Sequence, residues 1–185
     1  MAANIERGIS RKTLLAAAVL LACSFATAAP LAGGHTPATQ ANEYPYYVVF
    51  RVAVDGVYGH SYIAYGRLDA LGRPATATYA DIHPTGDFPT AVLGHFFPTE
   101  ASTSPEKDTL GYKIASRYRR PLTAAEFSRL NSVIDRIRAA RHTWSVLGYN
   151  CNDFVADVAR SMGMQTPTTL SLPYEFIPTL QAMND

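Results

Sequence analysis

Two short motifs hold residue types that together perform covalent chemistry. Cys151 lies in Tyr149-Asn150-Cys151-Asn152-Asp153-Phe154-Val155, where a polar stretch turns into an apolar-periodic one; His60 lies about ninety residues upstream in Tyr58-Gly59-His60-Ser61-Tyr62-Ile63-Ala64-Tyr65-Gly66. A thiol at a helix N-terminus feels the positive end of the helix dipole and the unpaired N–H groups of the first turn, which favour the thiolate. A thiolate attacks carbonyl carbon when an imidazole is at hand to hold and return the proton. Cys151 and His60 are therefore the candidate nucleophile and base of an acyl-transfer reaction, with the Cys151 N–H and its helix-start neighbours as candidate oxyanion donors. A third polar group should orient the imidazole and fix its tautomer. Asp81 and His83, on one face of the following strand, are the two candidates, and pairing register alone does not choose between them.

Each residue also has a plainer reading. A free cysteine packs like a small hydrophobe, and a strand histidine is often just hydrogen-bonded within its sheet. Gly59 and Gly66 shift the balance at His60, because glycine in a strand lets a backbone or a ligand approach closely. Metal chemistry has little support: His60, His83, His95 and Cys151 show no C-x-x-C or H-E-x-x-H spacing, and no cofactor is called for. The G-x-S-x-G elbow of serine hydrolases is absent. His35, His95 and His142 read as loop or surface residues.

The elements that must position the pair follow from periodicity. Tyr46 to Val54 is rich in β-branched and aromatic residues, and Asp55-Gly56 separates it from Val57 to Tyr65, the signature of a β-hairpin. This places His60 mid-strand, on a face with Tyr58, Tyr62 and Ala64. Thr76 to His83 reads as a third strand ended by Pro84. Residues 84–108, rich in proline, glycine, serine and threonine, read as one long connection of the kind that shapes clefts. Tyr112 to Arg119 is again strand-like. Thr123-Ala124-Ala125-Glu126 resembles a capping box, opening a helix whose stripe is Phe127, Leu130, Val133, Ile134 and Ile137; Arg129, Arg136, Arg138 and Arg141 form its solvated face. A second helix begins near Cys151 and stops at Gly163. The tail 164–185, with Pro167, Pro173 and Pro178, reads as largely extended with a short helix near its end. No internal repeat is evident.

Composition sets the compartment. The chain has 185 residues, 48% apolar and 17% charged, as in a globular domain. Arg7, Arg11 and Lys12 precede the apolar run Leu14 to Ala22, and Ala26-Thr27-Ala28 supplies a small-x-small cleavage site, so residues 1–28 read as a secretory signal peptide. The run is short for a membrane span. Leu20-Leu21-Ala22-Cys23 resembles a lipobox, so a lipoprotein anchored at Cys23 is the alternative to a periplasmic or secreted protein. The leader holds three of the 16 basic and one of the 15 acidic residues; the remainder has 13 and 14 and a net charge near −1, with no footprint for nucleic acid. Residues 29–43 read as a flexible linker, and the folded domain spans 44–185. Cleavage after Ala28 leaves Cys151 as an unpaired thiol in an oxidising compartment, which asks for a chemical reason.

The Gly59-His60-Ser61-Tyr62-Ile63 strand followed by the Tyr149-to-Val155 motif resembles circularly permuted papain-like proteins of the NlpC superfamily, the branch in which histidine precedes cysteine. The resemblance covers most of 46–175, including the Pro121-Leu122-Thr123 approach to the helix and the proline-rich close after Gly163. It implies an α+β fold with the cysteine helix packed on an antiparallel sheet that carries the histidine. It also implies thiol-dependent amide hydrolysis or acyl transfer, with Cys151 in the nucleophile position, His60 in the general-base position, and Asp81 or His83 in the third. Bacterial members of the superfamily resemble cell-wall peptide hydrolases, whereas relatives resembling lecithin retinol acyltransferase act on lipids. The leading expectation is an exported cysteine amidase or endopeptidase acting on peptidoglycan peptides. A secreted antibacterial toxin with the same chemistry would bring an immunity protein as partner. An acyltransferase or lipase at a membrane surface would be favoured by lipidation at Cys23 and by a loop presenting Phe88, Phe96 and Phe97. A degenerate fold would be a non-catalytic cell-wall-binding module.

Overall fold

The computed structural model describes residues 43–54, 57–86, 88–103 and 113–185. The leader, Cys23 and nearly all of the linker lie outside them, as does the Asp55-Gly56 turn. The first strand, β1 (Tyr46–Ala53), pairs antiparallel with β2 (His60–Arg67) from Tyr46↔Arg67 to Ala53↔His60. Two more strands, β3 (Thr78–Ala80) and β6 (Ile114–Leu122), complete a four-stranded antiparallel sheet in the order β3-β2-β1-β6. Both faces of β1 are covered, which is why its sequence is nearly continuously apolar. Val48, Phe50 and Val52 join Ile63 and Tyr65 of β2 in the main core, while Tyr47, Val49 and Ala64 form a smaller cluster with Leu68 and Tyr79 on the other face.

Helices close the main core. The long helix α2 (Ala124–Ala140) follows β6 and buries Leu130, Val133, Ile134 and Ile137. The cysteine helix α3 (Cys151–Ser161) buries Phe154, Val155, Val158 and Ala159, and the last helix, α4 (Pro173–Ala182), buries Phe176, Ile177 and Leu180. Each large apolar side chain buried in this way contributes about 1.5–3 kcal/mol. Tyr46 stacks on Phe127 with ring centroids 4.1 Å apart, fixing the start of β1 against α2. The architecture is mixed α+β with antiparallel sheets. No helix among the described residues is long and apolar enough to cross a membrane.

The capping box at Thr123 is present in full: Thr123 Oγ1 accepts from the Glu126 amide, and Glu126 accepts from the Thr123 amide. The cysteine helix starts at Cys151 and ends before Gly163, which adopts φ +76°. Several expectations need correction. β2 begins at His60, not Val57, so His60 is the first residue of its strand and not its middle. Gly59 adopts φ +71°, which no strand residue shares, and Val57 and Tyr58 are exposed in the turn. The expected third strand is two: β3 ends at Ala80, and β4 (His83–Pro84) belongs to another, three-stranded sheet. Pro84 is thus the last residue of β4 and does not follow the end of a strand that began at Thr76.

The segment 84–108 is no structureless connection. It holds a short helix, α1 (Phe88–Leu93), and β5 (Thr99–Ser102), which pairs with β4 and with β7 (Thr143–Trp144). β6 runs on to Leu122 with Pro121 inside it, tolerated because β6 is an edge strand that needs donors on one side only. In the tail, residues 164–172 are non-helical as expected, but α4 is a ten-residue helix that contains Pro178.

Candidate functional site

The cysteine is placed by its own neighbours. Asn150 caps α3: its Oδ1 accepts from the amides of Asn152 (2.8 Å) and Asp153 (3.2 Å), and Asp153 Oδ2 accepts from the Asn150 amide at 2.9 Å. This reciprocal box leaves the Cys151 N–H as the first-turn amide that the cap does not use. Asn150 Nδ2 also donates to the carbonyls of Val146 (2.9 Å) and Thr169 (3.3 Å), tying the turn before the helix to the segment that follows it.

The histidine comes from the sheet. At the head of β2, His60 donates from Nε2 to Asp81 Oδ2 at 3.1 Å, which leaves Nδ1 unused by the carboxylate, and His60 and Cys151 lie near enough to perturb one another's pKa. Asp81 is 1% exposed and accepts at its other oxygen from His83 Nδ1, also at 3.1 Å. The two residues left open by sequence are therefore both present, in series: Asp81 touches His60, and His83 touches Asp81. The chain breaks between β3 and β4 at this point, and that break turns the Asp81 carboxylate toward both imidazoles.

Electrostatics follow from this geometry. Burial disfavours a charged imidazole at His60, but hydrogen bonds and charges from Asp81 and Cys151 outweigh it and push the pKa up to about 10. Burial likewise opposes the Cys151 thiolate, yet the hydrogen bond and charge of His60, with donors from Ser61, hold the thiol below its ordinary value. Burial would also raise Asp81, and its two histidine partners outweigh that and hold its carboxyl below the usual range. Each of the three shifts runs toward the charged form: thiolate, imidazolium and carboxylate.

Sequence reasoning missed two members of this cluster, Ser61 and Asn152. The signal was adjacency, since each directly follows a named residue. The Tyr174 ring of α4 lies so close to Gly59 that a Cβ there would be 2.8 Å from it. His95 stays outside the cluster, between Tyr58 (ring centroids 5.4 Å) and Trp144 (6.4 Å), and exposed His142 lies beyond the end of α2; His35 lies outside the described residues. No cluster of three or more metal-ligating groups occurs among the described residues.

Near the turn that leads into Cys151 several large apolar side chains face solvent. Phe96 and Phe97 are 74% and 67% exposed, and Leu147 is 76% exposed. The Val146 N–H donates to Gly94 O at 3.0 Å, which brings the turn carrying these phenylalanines beside the turn that leads into Cys151. The Phe88 side chain lies outside the described residues. A groove of about 460 Å³ between α2 and α3, lined by Arg136, Arg141 and Arg160, contains none of the cluster. No protein-family model matches the chain, and comparison with curated proteins and with solved structures gives no match either.

Proposed function

We propose that the protein is an exported thiol hydrolase of amide bonds, with a permuted papain-like fold of the NlpC superfamily and a cell-wall peptide as substrate. The observation that carries this reading is the Asp81–His60 hydrogen bond of 3.1 Å, with His60 near enough to Cys151, the first residue of a helix, for the two to shift one another toward the charged forms. In it the Cys151 thiolate adds to the amide carbonyl carbon, and the Cys151 N–H donates to the oxyanion. The His60 imidazolium gives its proton to the leaving amine, and the C–N bond breaks to leave a thioester. Water then adds to the thioester as His60 takes up its proton. Collapse releases the carboxylic acid and restores the thiolate. Asp81 orients His60 and stabilises its charged form, and His83 stands behind Asp81.

The test is mass spectrometry of peptidoglycan fragments incubated with the purified protein and with Cys151→Ala under reducing conditions. Cleavage by the parent alone supports the reading, and product masses identify the bond. Equal cleavage by both refutes a role for the thiol. A toxin would show the same cleavage and be blocked by a co-encoded immunity protein.

Exposed Phe96, Phe97 and Leu147 beside the cleft favour one second reading, a thiol acyltransferase or lipase at a membrane surface. Acyl transfer from phospholipid vesicles, with no cleavage of peptide fragments, would select it. A non-catalytic cell-wall-binding module has no need for a charged cysteine–histidine pair.

A further inference from the structure

Cys151 and His60 sit on different elements, at the starts of α3 and β2, so their separation is only as fixed as one element is against the other. The apolar core that the two share, with Ile63 of β2 and Phe154 and Val155 of α3, is held by a non-directional force and tolerates a small slide. Reacting groups tolerate little, about 0.5 Å, and are held by hydrogen bonds from the residues around them. The next residues in the chain, Ser61 and Asn152, are 0% and 2% exposed, and Ser61 Oγ donates to Asn152 Oδ1 at 2.8 Å. That bond has the fixed length and direction that packing lacks. Asn152 is itself held on its other side: Nδ2 donates its two protons to the carbonyls of Thr169 at 3.2 Å and Ser171 at 2.7 Å. With both protons given to carbonyls, the amide orientation is settled and the oxygen faces Ser61. The Thr169 carbonyl also accepts from Asn150 Nδ2 at 3.3 Å, so the residues on both sides of Cys151 are fastened to one carbonyl.

We propose that Asn152 is a positioning residue: by accepting from Ser61 on one side and donating to the 169–171 segment on the other, it fixes the start of α3, and with it Cys151, against the strand that carries His60. The inference rests on Cys151 being the nucleophile and His60 its base. Asn152 acts through the placement of these two and neither gives nor takes a proton in the reaction. Ser61 is the other half of the same clamp, and losing either half frees the helix start to slide along β2. A buried amide left without its partner would also lower stability, so a stability measurement alone does not reveal positioning; the ionisation of the thiol does, because it depends on how near the imidazolium is. The titratable groups on the segments that meet here include His60 on β2, Asp81 and His83 beyond β3, Tyr149 before α3, Asp153 in its first turn and Tyr174 on α4; none is altered by the substitutions below.

The experiment is the pH dependence of Cys151 alkylation by iodoacetamide in the full chain, with the alkylated peptide identified by mass, for the parent, Ser61→Ala, Asn152→Ala and the double variant. Melting temperatures are read alongside. At an effective dielectric constant of about 20, drawing a thiolate and an imidazolium apart from about 4 to about 5 Å raises the acid limb by about half a pH unit, about a threefold loss of thiolate below it. Both single variants should show a rise of about this size. The double variant should go no further than Asn152→Ala alone, because the bond between the two side chains can be lost only once. An unmoved limb in Asn152→Ala, with a lowered melting temperature, would show a purely structural role and overturn the inference. A limb raised in Ser61→Ala alone would mean that the hydroxyl acts without Asn152, and additive shifts in the double variant would mean that the two act separately; either overturns it. Should Asn152→Ala fail to fold, Ser61→Ala decides, a raised limb sustaining the inference and an unmoved one ending it. A parent limb at the ordinary thiol value would instead sink the reading of Cys151 as nucleophile, so the two failures are distinguishable.

Discussion

Replacing Asp81 with asparagine tests the series where its charge originates. The carboxylate accepts from His60 Nε2 and His83 Nδ1, both at 3.1 Å, with 1% of its side chain exposed. Asparagine keeps the shape but has one acceptor oxygen and an uncharged donor nitrogen, so it can accept from only one of the two histidines and carries no charge to support an imidazolium. The loss at His60 is one charge-assisted hydrogen bond, about 1.5–3 kcal/mol. At 1.36 kcal/mol per pKa unit, that lowers His60 by about one to two units, from about 10 to about 8–9. Because the folded His60 pKa lies above its ordinary 6.5, the imidazolium is present at neutral pH and is lost as pH rises through about 10. The variant should lose it sooner. The assay is the alkaline limb of kcat/KM for the substrate that the parent cleaves, with the pH profile of Cys151 alkylation measured alongside. An alkaline limb unmoved in Asp81→Asn would refute the argument that Asp81 supports the charge on His60.

Two substitutions isolate features of the scaffold. Gly59 and Gly72 both adopt φ +71°, but a Cβ at Gly59 meets the Tyr174 ring at 2.8 Å, whereas at Gly72 it meets nothing within 4 Å. Gly72→Ala should cost about 1–2 kcal/mol for the left-handed backbone alone, and Gly59→Ala should cost more and also slow Cys151 alkylation; equal melting temperatures would show that the ring contact is unimportant. Thr123→Ala removes a complete capping box and should cost about 1 kcal/mol. That is about 2–4 °C in melting temperature for a chain of this size, with alkylation unchanged.

The parts of the site that depend on local chemistry were legible in the sequence. Asn150 and Asp153 bracket Cys151 with cap-forming residues, and the cap they form needs nothing from elsewhere in the chain. The same holds for Thr123 and Glu126 at α2. Alternation along β2 correctly separated Ile63 and Tyr65 from Ala64. What failed depends on contacts distant in sequence. β2 starts only after Gly59, whose positive φ and closeness to the Tyr174 ring of α4 no pattern near it reports. β-propensity runs on to His83, whereas β3 ends at Ala80 and the Asp81 carboxylate beyond it faces two imidazoles. β4, β5 and β7 are two to four residues long, too short for a period-2 pattern to register. Ser61 read as one more small strand residue until Asn152, fixed by Thr169 and Ser171, came to face it.

The charged pair also leaves a mark on stability that no substrate is needed to see. Burial opposes charge on both Cys151 and His60, yet both shifts run toward the charged forms, so pairing outweighs desolvation in the folded state alone. Such a difference between folded and unfolded pKa values makes stability depend on pH. The thiol is lowered from 9.0 in the fold, so its contribution is absent in acid and grows as pH rises through the lowered value to 9.0. His60 contributes most below 6.5 and loses its contribution as pH rises through about 10. Cys151→Ala removes the first term and one partner of the second. The stability gap between parent and Cys151→Ala, read by urea denaturation under reducing conditions, should therefore widen from pH 6.5 to 9.0 and shrink above about 10. A neutral buried thiol predicts the opposite: a flat gap up to 9.0, then one that moves against the parent as the unfolded thiol ionises first. A flat gap would mean that Cys151 is core packing, and both the nucleophile and the hydrolase built on it would have to be abandoned.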